Sequence, residues 1–115
     1  MENGRYEEID EYDRESAIKE LESGDVKRIR TALLSLALYD SDWKSVQDIC
    51  IKYSEHSDDN IRGIAVLCFG HLARVHGTLE TEQVLPIVKK ALHDASDFVR
   101  SHAYDALDDI QFFCK

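Results

Sequence analysis

The sequence has 115 residues, of which 43% are hydrophobic and 32% charged, and its formal net charge is −9. This length and composition are typical of a single globular domain, 1–115, and exclude a disordered chain. The acidity argues against a nucleic-acid binder, which needs clustered Lys and Arg. The chain opens with neither a signal peptide nor a membrane span, so we expect a cytoplasmic protein.

The first predicted element is an acidic N-terminal arm, about residues 1–11. Residues 1–25 contain ten acidic and three basic residues, whereas residues 26–115 contain thirteen and eleven. An acidic surface steers basic partners towards it, although acidity also simply keeps a protein soluble. Three apolar or aromatic residues stand at a spacing of three in this region: Tyr6, Ile9 and Tyr12. The role of the arm, in partner contact or as a solvated segment, is left open by the sequence.

Six helices are predicted after the arm, because helical periodicity runs through the chain and Pro86 is the only proline. Short turns with capping residues separate them, such as SGD at 23–25 and DSD at 40–42. The predicted helices span about 12–22, 25–39, 42–55, 59–75, 80–92 and 96–113. Because every turn is short, consecutive helices are expected to pack antiparallel, as three hairpins.

The fourth predicted helix contains the stretch DDNIRGIAVLCFGHL, residues 59–73, which is apolar on nearly all sides. Such a helix is expected to lie in the interior, with neighbours on several sides. Gly63 and Gly70 are seven residues apart and therefore lie on one line of the helix. Since glycine costs about 1 kcal/mol relative to alanine in a helix interior, we expect both to permit the close approach of a neighbouring helix or partner.

The three cysteines, Cys50, Cys68 and Cys114, are widely and irregularly spaced. Two of them fall on apolar helix faces, which indicates buried, reduced thiols rather than a disulfide framework.

The last predicted helix has an apolar arc and an opposite polar arc. The apolar arc consists of Val99, Ala103, Ala106, Leu107, Ile110 and Phe113. The outward side carries Ser101, Tyr104, Asp105, Asp108 and Phe112. Acidic residues late in a helix face the unfavourable end of the helix dipole, so local helix stability does not explain Asp105, Asp108 and Asp109. The dipole does explain acids near helix starts: Asp58, Asp59, Asp94 and Asp97.

The second helices of the predicted hairpins resemble one another. Residues 59–73 align with ASDFVRSHAYDALDDI, residues 95–110, so that Ile61 falls on Val99 and Arg62 on Arg100. A weaker copy, GDVKRIRTALLSLAL at 24–38, places Ile29 and Arg30 at the same positions. This pattern, an acidic turn followed by an aliphatic residue, Arg and a helical apolar spacing, resembles the HEAT-repeat family over about residues 12–113.

The resemblance implies an all-α fold, an α-α superhelix of three HEAT-like hairpins with about six helices. It agrees with Pro86 inside the fifth helix, since the first helix of a HEAT hairpin often bends at a proline. It also implies a structural ladder of ion pairs between repeats, for which the sequence offers Arg62, Arg100, Asp59 and Asp97.

The motifs of common enzyme classes are missing from the sequence, which has no Gly-rich phosphate loop, GxSxG, HExxH or CxxC. The five histidines are scattered over different helix faces and ends, without the spacing of a metal site. We therefore expect no catalytic residue, no metal and no cofactor, and a protein that is not an enzyme.

Three classes of function remain. The chain resembles small HEAT-like bacterial immunity proteins, which implies an inhibitor that neutralises a basic toxin domain, with a nuclease of a contact-dependent or polymorphic toxin system as the favoured target. The expected contact residues are Ser101, Tyr104, Asp105, Asp108 and Phe112, because an aromatic anchor among acids suits a basic protein. The alternatives are a HEAT-repeat scaffold or adaptor and a HEAT-type enzyme such as a lyase. A nucleic acid or a membrane is not expected as a partner, and the oligomeric state is open.

Overall fold

The computed structural model describes residues 12–114, which form six α-helices and, within that range, no strand. They are α1 (Arg14–Leu21), α2 (Val26–Tyr39), α3 (Trp43–Tyr53), α4 (Asp59–His76), α5 (Thr81–Ala91) and α6 (Asp97–Phe113). Every predicted helix is present, with each end within about two residues of its predicted position, so the all-α prediction is confirmed. Pro86 lies inside α5, as expected. The predicted acidic arm, with Tyr6 and Ile9, lies outside the described residues.

Side-chain caps fix most of the helix starts. Asp13, Asp25, Asp42, Asp58 and Ser96 each accept a hydrogen bond from a backbone N–H of the helix that follows. These bonds satisfy donors that the first turn of a helix leaves without an internal partner, which is why the acidic turns predicted the boundaries well. At the other end of α4, Gly77 takes the left-handed conformation, with φ of 69°, and closes the helix.

The helices are arranged as three hairpins in two layers. Helix α4 is central and packs against α2, α3 and α6, so that α2, α4 and α6 form one layer. In the other layer, α1 packs on α2, α3 on α4 and α5 on α6. The core between the layers contains the largest fully buried apolar side chains, among them Phe69, Leu33, Ile61, Leu72 and Ile110. This layering agrees with a stack of hairpins, while membership of the HEAT-repeat family stays a prediction.

The interior position predicted for the fourth helix is confirmed, since ten of the eighteen residues of α4 are buried. Both of its glycines face α6. A Cβ atom at Gly63 would lie 2.6 Å from two ring carbons of Phe98, and one at Gly70 would lie 3.1 Å from the Cα of Ala106. The close approach expected at the glycines is therefore found, and the neighbour is the last helix of the chain.

A polar contact between buried Gln47 and half-buried Glu80 joins the second and third hairpins. Gln47 of α3 is fully buried; its side-chain amide donates to the Glu80 carboxylate at 2.8 Å, and its carbonyl oxygen accepts from the Glu80 backbone N–H at 2.8 Å. Glu80 precedes α5 and makes no side-chain cap of its own, so Gln47 supplies the hydrogen bond at this helix start. Nothing in the sequence indicated this contact.

The cysteine prediction holds for the two residues on apolar helix faces. Cys50 and Cys68 are buried and unbridged, and Cys114 is half-buried and also free. A hydrogen bond with Cys50, together with burial, raises the pKa of the Cys68 thiol well above its usual value. None of the described helices has the length and apolarity that crossing a membrane requires.

Candidate partner-binding surface

The five contact residues predicted on the last helix form one exposed stripe along α6. This set, hereafter the α6 stripe, consists of Ser101, Tyr104, Asp105, Asp108 and Phe112, and all five are exposed. Tyr104 and Phe112 are exposed by 61% and 66%, which is high for large aromatic side chains in a folded domain. At 1.5 Å per residue the stripe is about 16 Å long.

The opposite side of α6 holds the stripe in place. Val99, Ala103, Ala106 and Ile110 are buried against α4 and α5. Because the buried and exposed sets lie on opposite arcs of the same helix, the stripe cannot turn towards the core without exposing these residues. The stripe is therefore a fixed outward surface.

The acidic residues of α6 differ in what they contact. Asp97 pairs with Arg100, and half-buried Asp109 lies 3.6 Å from the Arg74 guanidinium of α4. By contrast, within the described residues no ion pair or hydrogen bond involves the side chain of Asp105 or Asp108. The last turn of α6 also contains no basic residue. The late acid Asp109 thus has a structural explanation, and the stripe carries two carboxylates that are available to a partner.

Arg62, one of the four residues predicted for the ladder, pairs with an acid outside that set. Arg62 forms a two-pronged ion pair with Asp94, at 2.9 Å from Nε and 2.8 Å from Nη2, and it donates to the backbone carbonyl of His56. This pairing holds the pKa of the Asp94 carboxyl below its usual value. Asp59, which was also predicted to belong to the ladder, accepts a 2.7 Å hydrogen bond from the Ser96 hydroxyl.

Arg100 reaches the same turn from the third hairpin. Its guanidinium pairs with Asp97, three residues earlier in the same helix, and donates to the backbone carbonyl of Asp94. Asp94 therefore joins both ladder arginines and links the α3–α4 turn to the α5–α6 turn. Both arginines thus make their polar contacts within the fold.

One cluster on the edge of α6 was not found from the sequence. The Phe98 ring lies over Gly63, meets the His102 ring edge-on at 4.4 Å between centroids, and has the Arg30 guanidinium of α2 at 5.7 Å from its centroid. Burial lowers the pKa of His102, while the negative charge of nearby Asp105 opposes that shift. The cluster therefore adjoins the α6 stripe on the side that faces α2. Only the glycine at 63 hinted at it.

Comparison with solved structures gives a match over nearly the whole chain. No protein-family model matches the sequence, and no curated protein matches it. A crystal structure of a CDI complex from Cupriavidus taiwanensis LMG 19424 contains a chain that is similar to this one, with a TM-score of 0.82 and 30% sequence identity. The match covers 96% of this chain and 96% of that chain. The likeness thus extends over the whole arrangement of helices rather than over one hairpin.

Proposed function

Because this chain belongs to the same family as the matched chain of the CDI complex, we propose that it is an immunity-type inhibitor that binds and neutralises a toxin domain. We read CDI as contact-dependent inhibition, in which a toxin domain is held by its inhibitor. The observation that carries the proposal is this match, at 30% identity over 96% of both chains.

The charge of the chain supports the inhibitor role over the toxin role. The net charge is −9, and two exposed acids of α6, Asp105 and Asp108, lie beside exposed Tyr104. A basic toxin domain, for which a nuclease is the favoured class, complements such a surface and is steered towards it electrostatically. Inhibition would then proceed by direct contact, without a cofactor and without catalysis by this chain.

The α6 stripe is the proposed contact surface. Tyr104 is a rigid amphipathic anchor, a residue type that commonly dominates binding energy when a partner buries it. Asp105 and Asp108 flank it and would meet Lys or Arg, while Phe112 extends the apolar contact at the end of the helix. Ser101 offers a hydroxyl at the opposite end of the stripe.

The test is co-expression with the C-terminal domain encoded by the gene immediately upstream, followed by binding kinetics at two salt concentrations. Asp105→Asn with Asp108→Asn should slow association and weaken its dependence on salt, since exposed charges act mainly on the association rate. Tyr104→Ala should speed dissociation, costing about 2 kcal/mol if Tyr104 is a hot spot.

Asp48→Asn is the matched control, because Asp48 is exposed on α3 in the other layer of the fold. A complex whose kinetics ignore both salt and the stripe variants would remove α6 from the proposal. If the domain encoded by the upstream gene does not bind this protein, a HEAT-type scaffold or adaptor role is favoured instead.

A further inference from the structure

Arg30 is the one described arginine that is not paired with an acid. Each of the other five has a carboxylate oxygen within ion-pair distance of its guanidinium: Arg14, Arg28, Arg62, Arg74 and Arg100. For Arg30, no hydrogen bond or ion pair is found among residues 12–114, and its Nε atom is buried without a partner. In a chain with 23 acidic and 14 basic residues, an arginine that forms no ion pair with any described acid is unexpected.

The repeat alignment explains why Arg30 lacks an internal partner. Arg62, at the corresponding position of the next hairpin, pairs with Asp94, which stands five residues before Val99 in the α5–α6 turn. In the α3–α4 turn the corresponding position, five residues before Ile61, is His56. The position that would hold the acid for Arg30 is therefore a histidine, and the Arg30 guanidinium lies over the Phe98 ring.

Packing keeps the Arg30 side chain in position. Its guanidinium lies 5.7 Å from the centroid of the Phe98 ring, which is itself held over Gly63 and against His102. Stacking on an aromatic ring suits the planar guanidinium and reduces its freedom before a ligand arrives. Beside it on α2 is a cavity of about 430 Å³ lined by Val26, Lys27, Arg30, Thr31 and Leu34. A side chain from a partner has room to enter there.

We propose that Arg30 receives a carboxylate side chain, Asp or Glu, from the same protein partner that binds the α6 stripe. A guanidinium with unused donors matches a carboxylate with two parallel hydrogen bonds. A nucleic acid is disfavoured as the source of the anion, because the net charge of −9 repels a polyanion much more strongly than it repels one carboxylate of a basic protein.

This inference rests on the proposed function and refines it. A partner that is basic opposite Asp105 and Asp108 would carry one acid opposite Arg30. A single site of opposite charge within an acidic surface fixes the register of docking, because a partner shifted along α6 would place a basic residue against Arg30. Arg30 would thus discriminate between partners that the acidic stripe alone attracts equally.

The first experiment needs no partner. The ¹⁵N-labelled protein is titrated with sodium acetate, and with sodium chloride at the same ionic strength, while the arginine Nε–H resonances are recorded; Arg30→Lys assigns the Arg30 signal. We expect a saturable shift of the Arg30 signal with acetate only, and none for Arg62, which is already paired. An Arg30 signal that moves no more than that of Arg62 would overturn the inference.

The second experiment uses the toxin domain identified by co-expression. Arg30→Gln should raise Kd about tenfold or more, the effect of losing a charge-assisted hydrogen-bonded pair. The control is Arg28→Gln, which removes an exposed arginine on the same helix that pairs with Glu20 and should change Kd less than about twofold. If circular dichroism shows that Arg30→Gln does not fold, Arg30→Lys, which keeps the charge but not the two-pronged geometry, should weaken binding severalfold.

The two proposals fail in different ways. A complex that forms and has the same Kd with Arg30→Gln and Arg28→Gln contradicts the role of Arg30 and leaves the inhibitor proposal intact. Absence of any complex contradicts the inhibitor proposal, and the acetate titration then decides whether Arg30 is a carboxylate site.

Discussion

Replacing Gly63 by alanine should change stability in opposite directions depending on whether Phe98 is present. The new Cβ would lie 2.6 Å from two Phe98 ring carbons, a distance that forces the ring to move. Overfilling a packed site of this kind typically costs about 1–3 kcal/mol. Alanine gains about 1 kcal/mol over glycine in a helix interior, so a net loss of about 1 kcal/mol is expected.

The same substitution in a Phe98→Ala background should stabilise the protein. Without the ring, the next contact of the new methyl group is His102 Cδ2 at 3.4 Å, an ordinary van der Waals distance. Only the helix-propensity gain of about 1 kcal/mol then remains. The coupling between the two positions is therefore expected to be about 2 kcal/mol, well above the typical error of additivity.

Urea denaturation of the four proteins, followed by circular dichroism at 222 nm, measures this cycle. Gly70→Ala is the matched control, because its new methyl group would meet Ala106 and Asp109 rather than Phe98, and its effect should be the same in both backgrounds. If Gly63→Ala stabilises the protein equally with and without Phe98, the close-approach argument for Gly63 is wrong.

Three further predictions concern polar contacts. Arg62→Met should destabilise the protein by about 1–3 kcal/mol at pH 7, measured by urea denaturation, because it leaves half-buried Asp94 unpaired. The loss should shrink as the pH falls below about 4, since the depressed pKa of Asp94 contributes stability only above its unfolded value. Gln47→Leu should cost about 2 kcal/mol in the same assay, because half-buried Glu80 loses one hydrogen bond at its backbone N–H and one at its carboxylate. Because burial lowers the pKa of His102 in the folded protein, the unfolded chain binds more protons at this residue. The stability of the protein should therefore fall as the pH drops through about 6.5. His102→Gln should reduce the fall in melting temperature between pH 7 and pH 5.

A different result would contradict each of these three predictions. An Arg62→Met loss that is the same at pH 7 and pH 3 would mean that packing of the arginine stem, and not its charge, stabilises the turn. A Gln47→Leu protein as stable as the parent would mean that water replaces the lost bonds at the start of α5. An unchanged pH profile for His102→Gln would place the relevant titration at another histidine, such as His71, whose pKa burial also lowers.

The helices could be predicted from the sequence because their ends and buried faces follow local rules. Asp25, Asp42 and Asp58 stand directly before their helices and cap them, so the turn composition gave the boundaries. The apolar periodicity of α6 likewise separated its buried arc from the exposed stripe. Gly63 and Gly70 indicated a close neighbour because a glycine in a helix needs a compensating reason.

The contacts that depend on packing between hairpins could not be predicted in the same way. Asp59 and Asp94 are both acids near a helix start, and only the relative placement of two turns decides which of them Arg62 reaches. Gln47 is a polar residue in a half-polar helix, and nothing in its neighbours distinguishes a buried glutamine from an exposed one. Arg30 was aligned correctly with the ladder arginines, but the missing acid opposite it became visible only in three dimensions.

Both candidate contact sites depend on how α6 is seated on α4. Phe98, which orients Arg30, and Tyr104, which anchors the stripe, belong to the same helix, and that helix lies close against α4 at Gly63 and Gly70. A displacement of α6 by a few tenths of an ångström, of the kind that a methyl group at Gly70 would require against the Ala106 backbone, therefore moves both sites together. A substitution on the stripe itself removes one contact and leaves α6 in place. Gly70→Ala should accordingly weaken binding of the toxin domain and also change the acetate titration of the Arg30 resonance. Tyr104→Ala should weaken binding of the toxin domain but leave the acetate titration of Arg30 unchanged.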